Sequence, residues 1–322
     1  MAVVKSYEEA GVSIEKGDKF ASFIGAMKSK AVSKSIGGFA GGLPIDITKY
    51  KNPVMLSTTD GVGTKLIIAQ ELGIYDTVGI DLVAMSVNDL IVCGAAPMTF
   101  LDYIACGKIN EDMLHEIIKG VIKGCEQAEC TLSGGETAEM PDVYSEGDFD
   151  LAGFAVGIVD KDKMLPRKKN IKKGDIILGL PSAGIHSNGL SLARKVIDKS
   201  DKEGRKELLR PTKIYVKELK KLIAKDNIEA AAHITGGGLT GNLIRTLPKT
   251  VKPVFDTTAW EVPEIFKKIQ KDGGIDPVEM ERVFNMGIGI AMVVKKENAA
   301  DVISTAKRSR IAIKVIGEIV NG

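Results

Sequence analysis

Apolar positions along the chain switch between two periods. Phe20, Phe23, Ile24 and Met27 recur at helical spacing and predict a helix over 17–31. Residues 54–59, 98–105 and 149–159 are short apolar runs that read as strands. Residues 64–72 predict a helix closed by Gly73, and 80–92 is apolar on most faces, which predicts a buried helix. One apolar stripe runs through 111–128, a helix expected to start at Asn110. Residues 130–133 are short and β-like and lead into GGETAEMPD, read as a glycine-led loop. The pattern then breaks at 161–175 (KDKMLPRKKNIKKGD), which is basic, polar and contains Pro166. Such a shift marks a domain boundary, dividing the chain into 1–163 and 164–322. In the second half strands are expected at 176–180, 288–294 and 312–319. Helices are expected near 188–198, 210–225, 262–271, 277–283 and 298–309, a short one before Pro248, and a charged surface loop at 199–207. Strands alternating with helices in two domains define an α/β (α+β) class.

Charge and composition narrow the function. Of 322 residues, 44 are basic and 42 acidic, a net charge of +2 that argues against a nucleic-acid partner. No apolar run approaches the ~20 residues of a membrane span, and the N-terminus lacks a signal-peptide core. Cys93, Cys106, Cys125 and Cys130 form no CxxC, which fits reduced thiols in a cytoplasmic protein. Glycine is abundant, with 35 residues, and clusters at 37–42, 134–135, 236–241 and 287–289. Clustered glycine suits either backbone approaching a ligand or ordinary turns.

The candidate chemistry centres on TTDGVGTK (58–65) and NDLIVCGAAP (88–97). Asp60 ends an apolar strand beside Gly61, where ligands of α/β sheets collect, and Thr64 and Lys65 follow in a turn suited to phosphate oxygens. Asp81 and Asp89 flank an otherwise apolar helix, so each needs a pairing, capping or metal-binding role. Glu136 is either a metal ligand or a capping carboxylate. SAGIHSNG sets His186, Ser187 and Asn188 between glycines ahead of a helix, an arrangement suited to anions. HITGGGLTGN repeats the design with His233, Thr235, Gly236 and Gly237, and FNMGIGI adds Asn285. No Walker motif and no nucleophile–base pair stands out. These residues alone reach an ATP- and metal-dependent enzyme with a phosphate-bearing substrate.

Taken in order, YEEAGVSIEKG, TDGVGTKL, VGIDLVAMSVNDL, FLDY, GGETAEMP, DLAGFAVG, IHSNGLSL, RPTKIYVK, HITGGG and FNMGIG resemble the phosphoribosylformylglycinamidine cyclo-ligase family nearly end to end. Asp89 to Pro97 fits a D-x4-G-A-x-P pattern shared across a wider superfamily, whereas 78–90 and GGETAEMP are specific to the cyclo-ligase. The chain departs from the family at Ala96, Asp142, Thr240-Gly241 and Met286, which spares the charged residues. The resemblance implies ATP-dependent ring closure of formylglycinamidine ribonucleotide, with ATP and Mg2+ bound. It also implies a homodimer whose N-terminal sheets pair into a barrel, with a C-terminal α/β domain beside it. Carried over by position, Asp60, Asp89 and Glu136 are metal ligands, with Asp81 and Asn88 in support. Asp60, Lys65 and His186 are the catalytic candidates. Gly37, Gly38, Gly41, Gly42, Gly61, Thr64 and Lys65 attend ATP phosphates. Ser187, Asn188, Thr235, Gly236, Gly237 and Asn285 hold phosphate or reacting groups of ATP or substrate.

Overall fold

The computed structural model describes residues 5–322. Its first half contains α1 (Ile14–Ala26), β1 (Pro53–Gly61), α2 (Lys65–Leu72), α3 (Val78–Val92), β2 (Ala96–Cys106), α4 (Glu111–Ala128), β3 (Thr131–Glu139) and β4 (Phe149–Asp160). The four strands form one sheet in the order β1-β4-β2-β3, in which only β2 and β3 run parallel. The second half contains β5 (Ile176–Pro181), α5 (Leu190–Val196), α6 (Lys202–Leu208), α7 (Val216–Ile223), β6 (Ile228–His233) and α8 (Gly238–Leu243). It continues with β7 (Val251–Phe255), α9 (Glu264–Gly273), α10 (Pro277–Val283), β8 (Ile288–Val294), α11 (Ala299–Arg308) and β9 (Lys314–Asn321). Its antiparallel sheet has the order β6-β8-β5-β9-β7.

The strongest periodicities give the most faithful elements. α4 buries Met113, Leu114, Ile117, Ile118, Val121 and Cys125, and the Asn110 side chain accepts the Met113 N–H as its cap. α3 is buried at every residue but Asp89. It packs on β1, β4 and α4 in its own half and on β6 and α7 in the other. Its approach to α4 requires glycine: a Cβ on Gly79 would lie 2.2 Å from the Ile117 carbonyl oxygen.

Weak local signals explain the differences. α1 begins three residues before 17, at Ile14, because the Ser13 side chain accepts the Lys16 N–H. The charged stretch 199–207, expected as a loop, forms most of α6, capped by Asp201 and anchored by a partly buried Arg205–Glu71 ion pair. GGETAE, also expected as a loop, is the outer half of β3, paired along β2. Two strands carry no strand signal in the sequence. β6 is alanine-rich, and β7 contains Pro253 but is tolerated as an edge strand.

Candidate functional site

The site is organised on α3. Asp81 and Asn88 stand seven residues apart and so share one helical face, which points at the second half. Asp81 Oδ1 accepts from the Thr212 N–H and hydroxyl, both at 2.7 Å, and from Ser187 Oγ at 3.0 Å. Asn88 Nδ2 donates to the Lys213 carbonyl and its Oδ1 accepts the Tyr215 N–H, both at 2.9 Å. Segment 210–215 is thereby fastened along α3. Lys65 completes the fastening. Its ammonium is fully buried and donates to Asp81 at 2.9 Å, to the Arg210 carbonyl at 2.7 Å and to the His186 carbonyl at 3.3 Å. Burial pulls its pKa down, and Asp81 opposes that shift. Where a phosphate contact was expected, all three ammonium protons have oxygen acceptors within the protein, and the group faces no open space.

Asp89 projects from a different face of α3, about 100° round from Asn88. Its carboxylate is half exposed and lies 3.0 Å from His233 Nδ1 at the end of β6. Asp60, at the end of β1, is the second carboxylate here. Burial pushes its pKa up, the Gly61 N–H donated to its Oδ1 pulls it down, and Asp89 adds a smaller upward push. Neither aspartate pairs with a lysine or arginine among the described residues. After Gly61, the left-handed Gly63 (φ 69°) turns the chain into α2. Thr64 Oγ1 reaches Ser191 Oγ, 3.1 Å away in the second half.

Loops of the second half close over this region. Asn188 Oδ1 accepts the Gly236 N–H at 3.0 Å, tying the HSNG loop to the TGGG loop, while its Nδ2 is buried without a partner. Thr235 donates its hydroxyl to Asn242, so that loop is braced from within. Gly237 (φ 98°) supplies the left-handed turn into α8. His186 Nε2 accepts the Ala183 N–H at 3.1 Å, so the ring proton sits on Nδ1, which has no partner. Burial first, then His233, Lys65 and Lys213, push the His186 pKa well below its ordinary value, so the ring is neutral. Asn285 is also buried, and it brackets the Gly184 and Ile185 carbonyls and the Ser182 hydroxyl. It shapes the loop from behind.

Glu136 lies elsewhere. Asp60 pairs with Gly153, Gly153 with Asp102, and Asp102 with Gly135, one row on the inner face of the sheet. Glu136 pairs with Tyr103 in the next row and so points to the outer face. Of the three expected carboxylates, one chain brings Asp60 and Asp89 together and sets Glu136 on the opposite face of the sheet. No group of three or more His, Cys, Asp or Glu is arranged for a metal among the described residues. Glu136 instead lines a cavity of about 610 Å3 with Phe20, Gly38, Gly41, Tyr103 and Phe154. The glycine loop that borders this cavity is held at Gly42 by Ser33 and Ser35. A Cβ on Gly41 would overlap the Ser133 carbonyl oxygen, so glycine allows the loop to lie on β3.

Both halves of this arrangement match known families. The model of the AIR synthase related protein N-terminal domain matches residues 45–159, and that of the C-terminal domain matches 172–322. The phosphoribosylformylglycinamidine cyclo-ligase of Carboxydothermus hydrogenoformans is 47% identical, over 98% of this chain and 96% of that protein. The chain belongs to the phosphoribosylformylglycinamidine cyclo-ligase family. The chloroplastic member from Arabidopsis thaliana is 45% identical, over 98% of this chain and 82% of its own length. Among solved structures, thiamine-monophosphate kinase from Stenotrophomonas maltophilia superposes with a TM-score of 0.66 at 18% identity, covering 95% of this chain and 93% of that one. The hydrogenase maturation protein HypE in complex with ATP gives 0.64 at 18% identity, with 88% and 80% covered. At that identity the likeness concerns the fold.

Two features of this family member were not evident from single motifs. The contacts of His233, two residues before Thr235 of the TGGG loop, and of Thr212 with α3 arise only in the tertiary fold. Asp102, from the FLDY motif, is nearly fully buried, and its carboxyl occupies the space a Cβ on Gly135 would need. Burial pushes its pKa up to about 7. A carboxyl held above its unfolded value favours folding fully below the unfolded pKa of 3.8, and that contribution is lost as pH rises towards 7. Asp102→Asn removes this loss. In urea unfolding from about pH 4 to pH 8, the variant gains on the unsubstituted protein by up to on the order of 4 kcal/mol. Stability curves that stay parallel across that range contradict the burial effect.

Proposed function

We propose that this enzyme closes the imidazole ring of aminoimidazole ribonucleotide from formylglycinamidine ribonucleotide and ATP, releasing ADP and phosphate. The observation that carries the reading is near end-to-end identity with named cyclo-ligases at 45–47%. Chemically, the formyl oxygen is a poor leaving group until ATP phosphorylates it. The amidine nitrogen, held beside the activated carbon, then attacks it and phosphate departs. Fixed placement makes that closure effectively unimolecular.

Asp60 and Asp89 are the residues that would hold Mg2+. The donor set fits: both are oxygen donors, and Asp89 helps to raise the Asp60 pKa, a repulsion that a divalent cation relieves. A cation bound there neutralises charge on the transferring phosphoryl group. Gly61, Gly63 and Thr64 follow Asp60 with backbone and hydroxyl donors, and Thr64 meets Ser191 of the second half. Lys65, Asp81 and Asn88 act by positioning the second half, and neutral His186 by shaping its loop. We assign Glu136 and the 37–42 loop to the outer cavity.

The outer face of the first sheet is the proposed dimer surface. It exposes Met55 (69%) and Phe154 (44%) beside Leu101 and Tyr103. Apolar side chains clustered on one sheet face suit a second copy of the same sheet. Sedimentation of the purified chain gives the mass of a pair, and a monomer at micromolar concentration overturns the assignment. We place the division between domains at 163/164 and the enzyme in the cytoplasm. Among the described residues no helix is long and apolar enough to cross a membrane.

The reading is tested by incubating purified protein with ATP, Mg2+ and formylglycinamidine ribonucleotide. Aminoimidazole product and phosphate appear in equal amounts. Absence of product, with ATP consumed on thiamine phosphate instead, sinks it.

A further inference from the structure

The orientation of one side-chain amide determines the state of a histidine that touches the candidate cation site. Asn88 Oδ1 accepts the Tyr215 N–H, so its Nδ2 is the end that faces the Lys213 carbonyl at 2.9 Å. The same Nδ2 lies 3.4 Å from His233 Nε2. An amide nitrogen only donates, so Nε2 is the accepting nitrogen of the ring. The ring proton therefore sits on Nδ1, which donates to Asp89 Oδ1 at 3.0 Å. A proton on Nε2 would point at an N–H of Asn88, so this environment selects the Nδ1–H tautomer. His233 is almost entirely buried at 2% side-chain exposure, whereas Asp89 is 49% exposed.

We propose that His233 is a positioning residue for Asp89. Its Nδ1–H holds one carboxylate oxygen and leaves the other free, beside Asp60, for a divalent cation. The backbone of residues 213–215 sets Asn88, Asn88 sets His233, and His233 sets Asp89. Docking of the second half along α3 thereby fixes the geometry of a carboxylate in the first. Partners that orient a ligating side chain in this way commonly carry ~10–100-fold in metal affinity. The inference rests on the reading of Asp89 as a cation ligand.

The test uses Mn2+ as probe on the full-length, nucleotide-free protein, with binding followed by loss of the free-ion electron paramagnetic resonance signal. His233→Ala weakens Mn2+ binding by roughly 10–100-fold. His233→Asn, whose amide N–H can replace Nδ1–H, restores most of it, while the unfolding midpoint of that variant matches the unsubstituted protein. Nitrogen-15 spectra of histidine-labelled, unsubstituted protein show the His233 proton on Nδ1. That measurement decides the matter even if His233→Ala does not fold. Asp89→Asn separates the two readings. If it weakens Mn2+ binding and the histidine variants do not, the positioning role is overturned and the cation site stands. If Asp89→Asn leaves binding unchanged, or the unsubstituted protein binds no Mn2+, the cation reading fails and this inference with it. A proton found on Nε2 also overturns the proposal.

Discussion

Asp60→Asn lowers turnover by roughly 10²–10³-fold while the protein stays folded. The carboxylate sits at the end of β1, where burial and, to a smaller degree, Asp89 raise its pKa. Asparagine keeps the shape and the contact with the Gly61 N–H but removes the charge that would hold a cation. The same substitution removes a repulsion in the cation-free protein, so stability holds or rises slightly. Steady-state phosphate release, read beside the urea unfolding midpoint, distinguishes the two effects. A folded variant that turns over near the unsubstituted rate would show that Asp60 is structural.

Lys65→Met has the opposite signature. It destabilises the fold by about 3–5 kcal/mol, because removing the ammonium leaves Asp81 as an uncompensated buried charge. It also frees the Arg210 and His186 carbonyls that the ammonium now satisfies. Adding Asp81→Asn recovers part of the loss, since the amide carries no charge and still accepts from Thr212. Equilibrium unfolding of the single and double variants measures this. A single variant within 1 kcal/mol of the unsubstituted protein would mean that the ammonium contributes little to joining the halves, and the phosphate reading of Lys65 would return.

Much of the fold was legible because the relevant signals are local. The α4 stripe, its Asn110 cap and the largely apolar α3 need no partner to be recognised. β6, β7 and α6 were not legible, for a common reason. Alanine-rich, proline-containing and highly charged segments carry no period of their own and are specified by what they pack against. The carboxylates of the site were found as isolated residues, and their placement relative to one another was not legible. Glu136 and Asp60 are separated by strand register, since GGETAE pairs with β2 instead of looping towards β1. Lys65 in a DGVGTK turn suggests phosphate because the sequence does not show a buried Asp81 sixteen residues later taking its charge.

The sequence by itself determined the family, the reaction implied by it, the alternation of strands and helices, and the set of polar residues from which a site must be made. Tertiary structure decided which of them meet. Asp81 and Asn88 turn one face of α3 to the second half, whereas Asp89 turns another towards Asp60 and His233. Helical geometry separates those faces, and burial then assigns their roles. A carboxylate enclosed with a lysine and hydroxyl donors fastens the fold, while one left half exposed beside a second carboxylate remains free to bind.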